Sequence, residues 1–185
     1  MKKVLLLLLL VLPMCVFGQA DNNAKQMTKF EEFSSATGRI VKIQDYSLPN
    51  MAQSFLGILE TGIRIIMGDN TNAYFYRIKE PETRSSLSHI AMIEYSDLIE
   101  INKALDKLCA LVDVDIAANP DYLENKFRSI DGFEVGYYIS KGKASWFMKL
   151  ERYSSSTVFV KNQQTLVEAF KNAQAKIEEL KSQND

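Results

Sequence analysis

The stretch Phe133-Glu134-Val135-Gly136-Tyr137-Tyr138-Ile139-Ser140-Lys141-Gly142-Lys143-Ala144-Ser145-Trp146-Phe147-Met148-Lys149-Leu150-Glu151-Arg152 reads as two strands joined by a tight turn. Gly142-Lys143 at the centre suits a type II′ turn, because glycine takes the positive φ that the first central position needs. In that register Lys141 faces Ala144, Ile139 faces Trp146, Tyr137 faces Met148 and Tyr138 faces Phe147. Strand side chains alternate with period two. Phe133, Val135, Tyr137, Ile139, Ala144, Trp146, Met148 and Leu150 therefore share the expected inner face. Glu134, Gly136, Tyr138, Ser145, Phe147, Lys149 and Glu151 share the outer one.

An earlier hairpin has the same pattern. Ile63–Met67 and Ala73–Lys79 flank the turn residues Gly68-Asp69-Asn70-Thr71-Asn72. A shift of 72 lays Ile63 on Val135, Ile65 on Tyr137, Tyr74 on Trp146 and Phe75 on Phe147. Past the hairpins the shift is 65, which lays Ile93 on Val158, Ile101 on Leu166 and Leu105 on Phe170. A third strand is expected over His89–Tyr95 and its counterpart over Thr157–Val160. A long amphipathic helix follows each. Leu98, Ile101, Leu105, Leu108 and Val112 make one buried stripe, and Leu166, Phe170, Ala173, Ile177 and Leu180 make the other. Ser96 or Asp97 is the expected cap of the first long helix.

Short helices are expected before each hairpin. Met51, Phe55, Ile58 and Leu59 recur at helical spacing between Asn50 and Gly62, and Leu123, Phe127 and Ile130 follow Asn119-Pro120. Gly38–Ile43 reads as a strand broken at Leu48-Pro49-Asn50, Val114 and Ile116 as a brief strand, and Phe30–Phe33 as either a helix or a strand. The expected fold is α+β. It is a tandem repeat of (short helix)-β-β-β-α units, 27–113 and 114–182, within one compact domain. Together they would form one antiparallel sheet with two long helices packed on one face. That plan resembles the helix-on-sheet duplications of the TATA-binding-protein type, a likeness of architecture that carries no function.

The chain begins with Lys2-Lys3, the apolar run Val4–Leu12 and small residues at Gly18 and Ala20. This is the pattern of a signal peptide cleaved after Gly18 or Ala20. It resembles that of small secreted proteins of Gram-negative bacteria and predicts an exported protein, periplasmic or secreted. Met14 before Cys15 departs from a lipobox, so lipid anchoring at Cys15 is not expected. Cys109 is then the only remaining thiol, so no internal disulfide is expected. It lies on an apolar helical stripe, where free cysteine behaves as a small hydrophobe. No later run is apolar enough for a transmembrane segment. About 165 residues remain beyond the signal, enough for a substantial core. With 22 basic and 23 acidic residues the net charge is −1, without the basic stripe that nucleic-acid binding needs.

Catalytic patterns are thin. His89 is the single histidine, with Ser85, Ser86 and Ser88 nearby but no nucleophile-elbow motif. No spacing suggests a metal or other cofactor, and Asp113-Val114-Asp115 reads as a solvated helix exit. The outer sheet face is the candidate site. In a register centred on Asn70-Thr71, Ile66 faces Phe75 and Arg64 faces Arg77, like charges that Glu94 or an acidic ligand would neutralise. Tyr138, Phe147 and Phe159 extend this face in the second half. These seven residues (Tyr138, Phe147, Phe159, Phe75, Ile66, Arg64 and Arg77) are the expected contacts for a protein or small-molecule partner. A homodimer or the short helices are the alternative cover. The leading expectation is a non-enzymatic binding module. The alternatives are a carrier holding a hydrophobic small molecule between sheet and helices, and a hydrolase using His89.

Overall fold

The computed structural model describes residues 27–183 except 36, 39, 56, 69–70, 82–87 and 154–155. The expected signal peptide and Cys15, together with Ser85 and Ser86, lie outside the described residues. A short helix α1 (Lys29–Ser34) precedes the strands β1 (Lys42–Ala52), β2 (Ile58–Met67), β3 (Asn72–Lys79) and β4 (Ile90–Glu94). Helix α2 (Tyr95–Ala117) follows, then β5 (Leu123–Arg128), β6 (Glu134–Ser140), β7 (Lys143–Lys149) and β8 (Val158–Phe159), and last α3 (Gln163–Ser182). The fold is α+β, with two antiparallel four-stranded sheets in the orders β1-β2-β3-β4 and β5-β6-β7-β8.

The expected single sheet is therefore two. They meet at one bridge, Gln53 to Val160, supported by a bond from the Ser54 N–H to the Phe159 carbonyl at 2.9 Å. β8 is two residues long, which leaves little ladder for a wider junction.

The expected short helices are strands. β1 runs through Leu48-Pro49-Asn50, and Pro49 sits where the register shifts between Leu48 and Met51. Proline tolerates a bulge because no ladder bond from its nitrogen is required there. Met51 and Leu59 are buried, whereas Phe55 and Ile58 are exposed at the bend between β1 and β2. In β5, Leu123, Asn125 and Phe127 face inward. A spacing of four fits both a helix and a strand, which is why Leu123 and Phe127 misled. Val114 and Ile116 belong to α2, because Leu108, Val112 and Ile116 continue the helical spacing of four. α2 also starts earlier than expected. β4 runs directly into it, and the Glu94 side chain caps it by accepting from the Ser96 N–H at 2.8 Å.

The turn between β6 and β7 is centred on Lys141-Gly142, with φ 52° and 70°, the type I′ requirement. Ile139 therefore pairs with Ala144, Tyr137 with Trp146 and Val135 with Met148. Sliding a hairpin turn by one residue moves the pairing by two, so every side chain keeps its face. The inner residues from Phe133 through Leu150 are accordingly buried as expected, save Ala144 at the turn, which is half-buried. The apolar stripes of α2 and α3 are buried against them.

The helices cross over. α3 follows the second sheet in the chain but packs on β1, β2 and β3 of the first. α2 follows the first sheet and lies across β5, β6 and β7 as well as β3 and β4. Asn102 is the buried polar residue where the helices touch. Its Nδ2 donates to the Phe170 carbonyl at 3.3 Å and to Gln174 Oε1 at 2.8 Å. At the far end of α2, the Tyr137 hydroxyl donates to Asp115 Oδ2 at 2.7 Å, and Asn125 Nδ2 bonds the same oxygen at 3.3 Å. Burial and that carboxylate push the phenol up to about 12. No helix among the described residues is long and apolar enough to cross a membrane.

Candidate functional site

The outer face of the first sheet is covered from within. Thr28 and Glu31 close a capping box. Thr28 Oγ1 accepts from the Glu31 N–H at 3.1 Å, and Glu31 Oε2 accepts from the Thr28 N–H at 2.7 Å. The helix so started turns Phe30 and Phe33 onto Phe75, edge-on, with ring centroids 5.5 and 6.0 Å apart. Ile66 and Ala73 complete this small core, flanked by Val41 and Met92. Lys29 fastens α1 to the start of α2 through Asp97 Oδ1 at 2.7 Å and Ser96 Oγ at 3.0 Å. Phe75 and Ile66, two of the residues expected at the site, are thus buried in this small core. The Thr28-x-x-Glu31 spacing was the sequence signal that could have revealed α1.

The expected like-charge pair does not form. Ile66 is opposite Ala73, and Arg64 is opposite Phe75 on one side and Asp45 on the other. Arg64 grips Asp45 with both prongs, Nε to Oδ1 at 2.8 Å and Nη2 to Oδ2 at 2.7 Å. The guanidinium holds the Asp45 carboxyl below its usual range. Arg77 stands between Gly62 and Met92. β1, placed as a strand, supplies the neutralising group that sequence pairing alone did not show.

The second sheet carries no equivalent helix among the described residues. Tyr138 stacks on Tyr122 at 6.2 Å and meets Phe159 edge-on at 6.0 Å. Its strand partner is Ser145 rather than Phe147. Phe147 lies between Gly136 and Phe159 in register and is only 4% exposed, so it supports the row without being open to a partner. Phe55, 82% exposed, projects from the β1–β2 bend on the other side of a cleft of about 440 Å³. Tyr138, Ser145, Phe159, Lys161 and Gln163 line the rest of that cleft. At the far end of the same face the chemistry turns ionic. Lys126 contacts Glu124 at 2.6 Å and the buried Glu134 at 3.0 Å. Of the seven expected residues, the structure gathers Tyr138, Phe147 and Phe159 and leaves Phe75, Ile66, Arg64 and Arg77 elsewhere. Phe55 and Tyr122, which sequence reasoning did not include, complete the row.

His89 belongs to a different place, a cleft of about 670 Å³ between β4, α1 and the loops at 129–133 and 150–153. His89 Nδ1 lies 3.3 Å from Glu151 Oε2. Ser88 Oγ donates to the Glu80 carbonyl at 2.8 Å, not to the imidazole. No set of three or more metal-ligating side chains comes together among the described residues. Cys109 is half-buried, and burial pushes its thiol up.

Asp131 is a titratable group of this cleft held partly away from solvent. Burial pushes its carboxyl up, against the opposing bond from the Lys29 N–H at 3.0 Å. The unfolded chain ionises this group at the ordinary carboxylate value. Stability drawn from its proton is therefore full below that value and is lost as pH rises through the folded one. Asp131→Asn keeps an acceptor for α1 and removes that loss. The variant's thermal midpoint is expected to match or exceed wild type at about pH 7 and to converge on it near pH 3. A wild type that is the more stable at pH 7 would contradict this.

The chain matches no protein-family model, no curated protein and no solved structure, so its own residues carry the functional reading.

Proposed function

We propose that the protein is an exported, non-enzymatic binding module whose contact surface is the aromatic outer face of the second sheet. The carrying observation is an asymmetry. The first sheet's outer aromatic residue, Phe75, is sealed by Phe30 and Phe33. In the second sheet, Tyr138 and Phe159 border a cleft that the exposed Phe55 also lines, and Tyr122, itself exposed, stacks on Tyr138. Rigid aromatic side chains with a polar tip or rim lose little entropy on binding, which is why they anchor protein interfaces. Lys161, Asn162 and Gln163 provide that rim.

We read the two sheets as a tandem repeat. Ile63 pairs with Tyr76 as Val135 pairs with Met148, and Ile65 with Tyr74 as Tyr137 with Trp146, each pair displaced by 72. On that reading α1 marks the half whose outer face was closed, and the other half kept its face for a partner. A carrier of hydrophobic molecules is the second reading. Its support is that the cleft beside β4 reaches the inner-face residues Ala91, Ile93 and Leu150. The carboxylates in that cleft weigh against it.

The test replaces Tyr138 and Phe159 with serine, both being half-buried rather than core residues. The double variant is expected to keep the wild-type thermal midpoint within a few degrees. A partner captured by wild type from periplasmic or culture-medium extract should then be lost by at least about tenfold, the effect of removing an aromatic anchor. Undiminished capture by the double variant sinks the proposal.

A further inference from the structure

The cleft beside β4 runs along a strand edge. Among the described strands β4 is paired with β3 alone. The Glu80 N–H donates to the His89 carbonyl at 2.9 Å. Bonded residues alternate along an antiparallel strand. His89, Ala91 and Ile93 therefore turn their main-chain groups toward β3, and Ile90 and Met92 turn theirs toward the cleft. A second bond agrees with that assignment. The Ile90 N–H donates to Glu151 Oε1 at 3.0 Å, so a carboxylate oxygen stands where the carbonyl of a neighbouring strand would be. The outward main-chain groups of Met92 have no main-chain partner among the described residues.

The opposite outer edge is built differently. By the same alternation, starting from the bond between the Ser129 N–H and the Phe133 carbonyl at 2.9 Å, β5 turns the main chain of Glu124, Lys126 and Arg128 outward. Charged side chains along an edge deter strand addition. β4 presents Ile90 and Met92 instead, and the cleft wall facing it holds the apolar Phe133 and Leu150. The charged lining is mostly acidic, with Glu31, Asp97, Asp131 and Glu151 against Arg152 and the imidazole of His89. Lys29 Nζ already occupies Asp97 and Glu31 closes the α1 capping box, which leaves Asp131, bonded by the Lys29 N–H, and Glu151, which meets His89 Nδ1 at 3.3 Å, as the carboxylates for an incoming cation.

We propose that this cleft takes an extended basic peptide as a fifth strand of the first sheet. Its main chain pairs with Ile90 and Met92, and its cationic side chains meet Asp131 and Glu151. A carbonyl of the peptide replaces Glu151 on the Ile90 N–H and frees that carboxylate to turn to the incoming charge. Strand addition draws affinity from main-chain bonds and specificity from alternate side chains. This site is separate from the aromatic face of the second sheet and stands or falls independently of it.

The test leaves the protein's fold untouched by placing the key changes in the peptide. A synthetic octapeptide alternating lysine and valine is titrated against the purified protein, and binding tighter than about 1 mM is expected. Two further peptides carry N-methyl groups on alternate residues, one on the lysines and one on the valines. One of the two should lose at least about tenfold in affinity and the other should stay within about twofold, since only one edge of the peptide bonds to β4. Glu151→Gln combined with Asp131→Asn should weaken the unmodified peptide severalfold, and hydrogen exchange at Met92 should slow on binding. Equal affinities for the two methylated peptides would overturn strand addition in favour of simple charge attraction. Failure of the unmodified peptide to bind, equal binding of a glutamate–valine peptide, or occupation of β4 by a second copy of the chain would each overturn the proposal outright.

Discussion

Phe170→Ala is expected to destabilise the protein by about 3–5 kcal/mol, the range for removing a large aromatic side chain from a packed core. Phe170 is fully buried in α3. Its ring meets Tyr76 of β3 edge-on at 5.2 Å and Phe133, just before β6, at 5.8 Å. Its carbonyl accepts from Asn102 of α2. The ring thus touches β3 of the first sheet and the residue leading into β6 of the second, at the level where the two helices meet, and neighbours so far apart in the chain cannot all collapse into the space it leaves. For a chain of this length the loss corresponds to roughly 10 °C in thermal midpoint. Denaturant titration should show a lower midpoint with an unchanged slope. A cost below about 1.5 kcal/mol would mean that the core is looser than this packing implies.

Gly136→Ala is expected to cost about 2–3 kcal/mol, as overpacking does when the obstacle is backbone. A Cβ added at Gly136 would stand 2.2 Å from the Asn125 carbonyl oxygen and 2.6 Å from the Lys126 Cα, both on β5. Gly136 is opposite Lys126 in a pair without mutual hydrogen bonds, where antiparallel chains approach most closely. The glycine is needed for that approach, since its φ is not in the left-handed region. β5 must move away, and with it Asn125, which shares Asp115 with the Tyr137 hydroxyl. Faster hydrogen exchange confined first to β5, with a lowered midpoint, is the expected signature. An alanine variant as stable as wild type would refute the close approach.

Period-two alternation made the inner faces of β2, β3, β6 and β7 legible, and both long helices could be read from their three-and-four stripes. Parity protects such readings. The Lys141-Gly142 turn lay one residue from its expected place, yet Tyr137, Trp146 and Met148 kept the same face. Cross-strand partners have no such protection, so Arg64 was matched with Arg77 when its true partner is Asp45. β1 and β5 were misread because a spacing of four serves helix and strand alike, and that error hid both Asp45 and the open β5 edge. The cleft at β4 was beyond sequence reasoning. It joins His89, Asp131 and Glu151, which only the docking of one sheet against the loops of the other brings together.

The crossed helices make each half of the sequence depend on the other for its cover. β1, β2 and β3 find their covering helix in the last stretch of the chain, Gln163–Ser182. Without that helix the first sheet keeps only the cover that α2 gives to β3 and β4. Each sheet thus borrows part of its cover from the other half of the sequence, and a fragment ending before Gln163 is expected to leave the inner face of β1 and β2 open to solvent.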